Sequence, residues 1–198
     1  MAEAVLAQRD YLSSLDATVG DGDHGMSLTK ALQEGVRQLA GLEGPTPESV
    51  LHTAGMAIQN TMGGASGVLF GAFFIGAAGA INGKAATSLR DVAAMLAEGL
   101  AEVQKRGKAQ PGDKTIVDAL APAVAALQAA EALNLAQGLR RAAEAAQAGA
   151  AATREMVARH GRAKFLGERS RGYQDAGATS MAIMLAALAE AISASAHS

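Results

Sequence analysis

Helix-forming stretches of mixed apolar and polar residues alternate along the chain with short polar or glycine-rich breaks. In the seventh stretch, for example, Leu139, Ala142, Ala146 and Met156 are available for one packed face. The pattern predicts about eight helices, near residues 2–15, 26–40, 47–61, 67–81, 88–106, 115–129, 134–160 and 178–194.

Several of these helices have marked ends. Thr46 precedes Pro47, which places a capping hydroxyl directly before proline at the first helical position. Asn82–Gly83 and 160–161 (His-Gly) are typical of helix C-termini. Two further starts approach the capping-box pattern, with a hydroxyl residue followed three positions later by an acid: Ser88 with Asp91, and Thr115 with Asp118.

Composition supports an all-helical fold. The 198 residues include 48 alanines and 23 glycines, whereas aromatic residues make up only 3%. Alanine is the best helix former, and the β-branched and aromatic residues that favour strands are scarce. We therefore predict an all-α, antiparallel closed barrel or bundle of about eight helices. Because no long linker divides the chain, residues 1–198 are expected to form a single domain.

Charge and cysteine content exclude several functions. The formal net charge of −2 gives no basic excess for binding nucleic acid or an acidic membrane surface. The chain has no Cys, which excludes disulfides, thiolate metal sites and Cys nucleophiles. The N-terminus is too charged for a signal sequence, and the most apolar run, 68–81, is too short to span a bilayer. We expect a cytoplasmic protein that binds neither nucleic acid nor membrane directly.

Four of the breaks are glycine-rich, and three of these contain acidic residues. Successive breaks are separated by two predicted helices, so in an up-and-down array all four lie at the same end. Ordinary turns are the alternative, but turns rarely combine so many Asp and Gly residues. The four breaks are residues 16–25, 62–67, 107–114 and 161–177.

Three aspartates lie close together in the first break, in the segment LDATVGDGDHG. Asp21 and Asp23 are separated only by Gly22, so their carboxylates repel each other unless a cation lies between them. Asp16 adds a third oxygen ligand, and such a set suits Mg²⁺. A solvated acidic loop is the alternative, but it explains one aspartate better than three.

Two motif matches in this loop are excluded by their context. Residues 20–25 satisfy GxGxxG, but the dinucleotide fingerprint needs a preceding strand, and the neighbouring segments are predicted helices. A calcium loop starting at Asp21 needs Glu at its twelfth position, where the chain has Leu32. His24 is left open between contact with a phosphate or metal-bound water and a hydrogen bond within the loop. The remaining histidines are predicted to be surface or structural residues: His52, His160 and His197.

The later breaks carry groups that bind anions. Residues 62–67 (MGGASG) precede an apolar helix, where glycines expose backbone N–H groups and Ser66 adds a hydroxyl. For any single arginine in these breaks a solvated loop is the simpler interpretation, but together the breaks predict a Mg²⁺–nucleotide site that transfers phosphoryl groups. Polar groups also precede the last helices: Gly112–Thr115, Arg162, Lys164, Arg169, Arg171 and Asp175–Thr179.

Five segments in this order and spacing resemble the nucleotide-binding L subunits of dihydroxyacetone kinases: LDATVGDGDHG, GGASG, RGKAQPGDKT, GRAKFLGERS and QDAGATS. The similarity runs from about Tyr11 to the last predicted helix. That family is an antiparallel eight-helix barrel with ADP and two Mg²⁺ ions at one end, which agrees with the predicted helix count. The resemblance implies that this chain is a phosphotransferase subunit.

The resemblance also assigns roles to individual positions. It implies that Asp16, Asp21 and Asp23 ligate the two Mg²⁺ ions and thereby carry the catalysis. It further implies contacts with the ADP or ATP nucleotide from His24, Gly25, Met26, Ser27, Ala65, Ser66, Gly107, Ile116, Arg162, Asp175, Ala176 and Gly177.

The partners follow from the same resemblance. In the bacterial phosphoenolpyruvate-dependent system, the nucleotide stays bound as a coenzyme and a phosphohistidine on an M subunit phosphorylates it. The phosphoryl group then passes to dihydroxyacetone held on a K subunit. A transcriptional regulator and a homodimer are further partners that the resemblance leaves open.

Two alternatives and two departures accompany the resemblance. The chain could instead be the nucleotide half of an ATP-dependent triose or tetrose kinase, or a nucleotide-binding regulator without transfer activity. The family commonly has Pro where Ala176 stands, and the first helix is about half the usual length. The sequence leaves the acceptor sugar, the phosphoryl donor and the oligomeric state open.

Overall fold

A computed structural model describes residues 1–81, 83–84, 88–130 and 132–195, and this part of the chain contains helices and loops but no strand. Two 3-10 helices, Thr153–Glu155 and Arg162–Ser170, precede the last α-helix. The predicted stop at Asn82 and the predicted surface position of His197 fall outside the described residues. The α-helices are α1 (Ala2–Ala7), α2 (Arg9–Val19), α3 (His24–Leu39), α4 (Pro47–Thr61), α5 (Gly64–Gly79), α6 (Leu89–Gly107), α7 (Val117–Gln128), α8 (Leu135–Ala152) and α9 (Ala176–Ser195).

The helices pack in chain order. From α2 onward each helix contacts the next one, and α9 also packs against α1 and α2, so the order of contacts returns to its start. This arrangement confirms the predicted all-α fold and is compatible with a closed barrel, α1 and α2 together forming one of its elements. One hydrophobic cluster draws buried residues from all nine helices, including Val5, Leu28, Phe70 and Met181.

Small residues allow close approach between neighbouring helices, as the alanine- and glycine-rich composition predicts. A Cβ on Gly55 of α4 would lie 3.0 Å from the carbonyl oxygen of Gly71 on α5. On α6, a Cβ at Gly99 would lie 2.6 Å from the ring of Phe73. These positions leave no room for a side chain, because helix backbones meet there directly.

The predicted first helix, 2–15, is divided at Gln8, where the backbone leaves the helical region (φ −108°, ψ 11°). The second part extends to Val19, so Asp16 is helical and does not lie in a loop. Gly25 of α3 packs against this junction, because a Cβ there would overlap the carbonyl oxygen of Arg9. The start of α3 is thereby held against the N-terminal helices.

The predicted helix 134–160 is too long. α8 ends at Ala152, so Met156 is not on the packed helical face that its spacing predicts. The hydroxyl of Thr153 donates a hydrogen bond to the carbonyl of Ala150. The ammonium group of the buried Lys114 donates hydrogen bonds to the carbonyls of Thr153 and Met156. Contacts from a distant segment therefore end a helix that local propensity would continue.

The helix starts agree better with the sequence. Thr46 caps α4 in a capping box with Ser49, and α4 has the predicted bounds. Ser88 and Asp91 form the predicted capping box of α6. Asp118 accepts from the backbone N–H of Thr115 at 2.7 Å, which is half of the predicted box.

The apolar helix α9 is long and apolar enough to cross a membrane by length and composition alone. Half of that stretch is buried among the other helices, where Met181, Met184 and Leu185 belong to the core. A core helix gives the same hydropathy signal as a spanning one, so α9 is weak evidence for a membrane segment.

Candidate functional site

The three predicted aspartates form a cluster between α2 and α3. Asp16 lies in the last turns of α2, and Asp21 and Asp23 lie in the connection to α3. One carboxylate oxygen from each lies within 4.8 Å of the others. Asp16 is half-buried, whereas Asp21 and Asp23 are exposed. Three carboxylates this close repel one another, and hard oxygen ligands in this number are the donor set that Mg²⁺ prefers.

Local backbone geometry holds this cluster together. Gly22 turns the chain in the left-handed region (φ +76°), which a residue with a side chain rarely adopts. At Gly20 a Cβ would overlap the carboxylate of Asp16, so glycine leaves space for that side chain. The backbone N–H of His24 donates to Oδ2 of Asp16 at 3.3 Å. The glycines therefore serve to fold the loop around its carboxylates.

Arg162, from the segment before α9, reaches the same cluster. Its guanidinium forms an ion pair with Oδ2 of Asp21 and lowers the pKa of that carboxyl, mainly through the hydrogen bond. Gly161 precedes Arg162 with a positive φ of 62° and turns the chain into the second 3-10 helix. The fourth break thus supplies a cation to the carboxylates of the first.

His24 is the first residue of α3 and only 5% exposed. Its Nε2 lies 2.8 Å from Oγ of Ser180 on α9, and its ring lies 5.8 Å from that of Phe70 on α5. Burial lowers the pKa of His24, although the charges of Asp16 and Asp23 oppose this change. A neutral, buried imidazole therefore joins three helices at this end of the molecule.

The first turn of α3 presents backbone N–H groups beside the cluster. Ser27 donates its N–H to the carbonyl and its hydroxyl to the carboxylate of Asp23, at 2.8 and 3.1 Å. The neighbouring Met26 is 59% exposed, so the predicted nucleotide-contact residues Gly25–Ser27 open toward solvent on one side. Unpaired N–H groups at a helix start attract anions.

The glycine-rich second break lies partly inside α5. α5 begins at Gly64 rather than at residue 67, so Ala65 and Ser66 belong to its first turn. Gly67 is buried, and a Cβ there would overlap the carbonyl oxygen of Met62. The second break therefore supplies N–H groups at a helix N-terminus, as its composition predicts, but from within the helix.

The third and fourth breaks are joined through Lys114, which is only 3% exposed. Its ammonium group donates to the carbonyls of Thr153, Met156 and Tyr173. Burial lowers the pKa of Lys114, and the charges of Asp175 and Glu155 oppose this change. The sequence suggests that this cation meets a ligand, but all three carbonyl partners lie within the chain, so Lys114 ties loops together.

Asp175 directly precedes α9. Its carboxylate accepts from the backbone N–H of Ala178 at 2.7 Å, which satisfies one donor of the first turn. Burial raises the pKa of Asp175 to about 6, despite that hydrogen bond. Ala176 is the first residue of α9, a position where the proline usual in the family would also fit. Gly177 faces Ile116, whose backbone nitrogen would lie 3.8 Å from a Cβ at Gly177.

All four breaks meet at one end of the helix array. Arg162 links the fourth to the first, and Phe70 brings α5 against His24. Gly107 faces Leu69 of α5, which brings the end of α6 beside the second break. These contacts connect the three aspartates, His24, Arg162 and Gly107 with neighbouring elements at this end of the molecule. The roles of the individual residues in binding metal or nucleotide are predictions.

Several other charged residues of the fourth break have structural partners. Arg171 pairs with Glu168 at 2.7 Å, and Lys164 lies 5.0 Å from the ring of Phe165. Asp113 of the third break also has a partner within the chain, since Nε2 of His160 lies 3.2 Å from its carboxylate. Ser180 is not among the residues predicted from the sequence, although it is the partner of His24. The only sequence signal for it is its position at the end of the segment QDAGATS, directly after the predicted nucleotide contacts Asp175–Gly177.

Comparison with known proteins places these features in context. The DAK2 domain matches residues 18–190. The ADP-binding subunit DhaL of the PEP-dependent dihydroxyacetone kinase of Escherichia coli K12 is 40% identical over 184 residues, which cover 92% of this chain and 88% of that protein. A second DhaL subunit, from Listeria innocua, is 36% identical over 96% of this chain and 89% of its own length.

Larger proteins contain a similar region. Human triokinase/FMN cyclase is 36% identical over 97% of this chain, which corresponds to 34% of that protein. The crystal structure of the dihydroxyacetone kinase of C. freundii in complex with AMP-PNP and Mg²⁺ superposes with a TM-score of 0.75 at 32% identity. This chain is covered to 96% but spans only 32% of that kinase, so it corresponds to one part of the larger enzyme.

Proposed function

The chain belongs to the DAK2-domain family, and we propose that it acts as the ADP-binding subunit of a phosphoenolpyruvate-dependent dihydroxyacetone kinase. The observation that carries this proposal is the carboxylate cluster of Asp16, Asp21 and Asp23 at the start of α3. Anion-binding helix starts next to a divalent-cation site are what a nucleotide polyphosphate requires.

Asp16, Asp21 and Asp23 would hold the magnesium ions, and the donor set fits this role because all three provide hard oxygen atoms close together. When bound, magnesium neutralises charge on the phosphate oxygens. Arg162, whose guanidinium already lies at this cluster, adds positive charge on the solvent side. The contribution of the chain is therefore to orient the nucleotide and to neutralise its charge.

The nucleotide would extend from this cluster over the other breaks. The backbone N–H groups of Gly25, Met26, Ala65 and Ser66 would hold the phosphates, and Ser27, whose N–H is bonded to the carbonyl of Asp23, would lie beside them. The ribose and base of the nucleotide would lie toward Gly107, Ile116 and Asp175–Gly177, where the third and fourth breaks meet. None of these residues has an aromatic side chain, so the base would contact aliphatic side chains and backbone.

The acceptor and the phosphoryl donor would come from partner subunits. The relatives are named as one subunit of a PEP-dependent kinase, which implies a K subunit that holds dihydroxyacetone and an M subunit that carries phosphohistidine. A transcriptional regulator and a second copy of this chain are additional candidate partners, and the cytoplasm is the proposed location. The match covers 88% and 89% of the length of these two DhaL relatives.

A second candidate function is the nucleotide half of an ATP-dependent kinase. It is favoured by the match to triokinase/FMN cyclase and to the D-erythrulose kinase of Mycolicibacterium smegmatis, which is 36% identical over 97% of this chain. In that case the nucleotide would exchange after each turnover. In the coenzyme function it would remain bound.

Nucleotide retention tests the proposal directly. The purified chain should carry ADP and magnesium through gel filtration and dialysis. With a K subunit and ATP but without an M subunit, it should give at most one turnover per bound nucleotide, because retained ADP has no phosphoryl group to transfer. Multiple turnovers would contradict the coenzyme function and favour ATP exchange. A chain that binds no adenine nucleotide would contradict both functions.

A further inference from the structure

The pair His24 and Ser180 connects two of the proposed nucleotide-binding segments. His24 begins α3, and Ser180 lies in the second turn of α9, directly after Asp175–Gly177. Both side chains are buried, with exposed fractions of 5% and 0%, and their Nε2 and Oγ atoms are 2.8 Å apart. A hydrogen bond this well enclosed exchanges little with water and holds its partners firmly.

The direction of this hydrogen bond follows from the other contact of Ser180. A serine hydroxyl has one hydrogen, and Ser180 donates it to the carbonyl of Ala176 at 2.9 Å. Nε2 of His24 is then the donor to Oγ of Ser180. Nδ1 is left as the polar atom of the ring without a partner among the described residues, and it is a hydrogen-bond acceptor.

The bond to Ala176 is not in itself unusual. Ser193 and Ser195, on the same helix, donate to the carbonyls four residues earlier at 2.8 and 3.0 Å. The contact with His24 distinguishes Ser180 from these serines. Phe70 packs against the imidazole ring at 5.8 Å, so Ser180 and Phe70 together restrict the orientation of the ring.

We infer that Ser180 is a positioning residue for phosphoryl transfer, which holds His24 so that Nδ1 accepts a hydrogen bond from a water or hydroxyl group of the bound nucleotide complex. This inference rests on the proposed function. An acceptor nitrogen at this position suits a water or hydroxyl and not a phosphate oxygen.

The test compares Ser180→Ala with Ser195→Ala, which removes the same kind of hydroxyl from the exposed end of α9. Phosphoryl transfer with the partner subunits gives kcat and KM, and ¹⁵N shifts of the His24 ring report the contact at Nε2. Ser180→Ala should lower kcat about tenfold, the loss typical when a side chain that orients a binding group is removed. It should leave the KM for the partner unchanged, and Ser195→Ala should leave both parameters unchanged.

A double-mutant cycle separates positioning from general stability. If Ser180 acts through His24, adding Ser180→Ala to His24→Ala should cause no further loss of kcat. Thermal unfolding of each variant shows whether the fold survives. Additive losses in the cycle, or a Ser180→Ala variant with either wild-type kcat or wild-type His24 shifts, would overturn the inference. If the wild-type chain neither retains ADP nor transfers phosphate, the proposed function itself fails.

Discussion

Arg162 and Asp21 form an ion pair at the carboxylate cluster, although they lie in the fourth and first breaks of the chain. The guanidinium supplies positive charge to three carboxylates that would otherwise only repel one another. The contact also holds the segment before α9 against the connection between α2 and α3. Substitutions of Arg162 or Asp21 should therefore change the net charge of this cluster and with it the binding of ions and nucleotide.

Asp21→Asn should lower phosphoryl transfer by about 100-fold or more, because it removes one of the proposed ligands of the charge-neutralising cation. Asp21 is exposed, so helicity measured by far-ultraviolet circular dichroism should be unchanged. Asp10→Asn provides a matched control, because Asp10 is an exposed carboxylate on α2 that pairs with Arg9. Full activity of Asp21→Asn would refute the proposed metal site.

Arg162→Gln should have opposite effects on the two ligands. Without the guanidinium at Asp21, nucleotide-free protein should bind Mg²⁺ about threefold to tenfold more tightly, since one nearby positive charge is removed. ADP should bind more weakly, because that charge also attracts phosphate. Calorimetric titrations measure both affinities. Arg169→Gln, in the same 3-10 helix, is the control, and equal changes in both variants would argue against a specific role of Arg162.

Asp175→Asn should change how stability depends on pH. Burial raises the pKa of Asp175 to about 6, so the folded state holds the proton more tightly than the unfolded state does. The stabilisation by this proton is present below pH 4 and is lost as the pH rises through 6, at a cost of about 2–3 kcal/mol. Asn does not ionise, so the variant should gain stability relative to wild type by this amount between pH 4 and pH 8.

Urea unfolding at both pH values measures that difference. Asn retains a side-chain oxygen for the N–H of Ala178, so the cap of α9 should survive the substitution. If the free-energy difference between variant and wild type were the same at pH 4 and pH 8, the raised pKa would be disproved.

Gly67→Ala should destabilise the fold by about 1–3 kcal/mol, because its Cβ would overlap the carbonyl oxygen of Met62 at the start of α5. Gly63→Ala is a close control, since a Cβ at Gly63 meets nothing within 4 Å and its φ is −73°. Thermal unfolding of the two variants should therefore differ by several degrees. Similar midpoints would show that the second break tolerates side chains.

The sequence predicts the helices well where the signals are local. Thr46 and Pro47 determine the start of α4 through a cap and a fixed φ, and α4 has the predicted bounds. The end of α8 is different, because the chain has no proline or glycine between Ala152 and Gly161, and contacts of Lys114 and Asp175 with Thr153 accompany the end of the helix. A hydrogen bond from a side chain far away in the sequence cannot be predicted from the local sequence pattern.

In the candidate site, too, some features are predictable from the sequence and others depend on tertiary contacts. The spacing of Asp16, Asp21 and Asp23 predicts a carboxylate cluster, and the structure brings their oxygens together. Lys114, in contrast, is expected from its place at a helix start to meet a ligand, yet it is buried and donates to backbone carbonyls of the chain. Its partners Thr153, Met156 and Tyr173 lie 39 to 59 residues later in the chain, so only the tertiary structure reveals this role.

The amino-acid sequence by itself determined the all-helical class, the four glycine-rich breaks and the carboxylate spacing, because propensity, capping and short loops act between near neighbours in the chain. The tertiary structure decided which of the glycine-rich breaks contact one another. Arg162 meets Asp21 and His24 meets Ser180 only because the helices pack with their ends in register. Such contacts join residues far apart in the chain, and their geometry is set by the packing of the whole helix array.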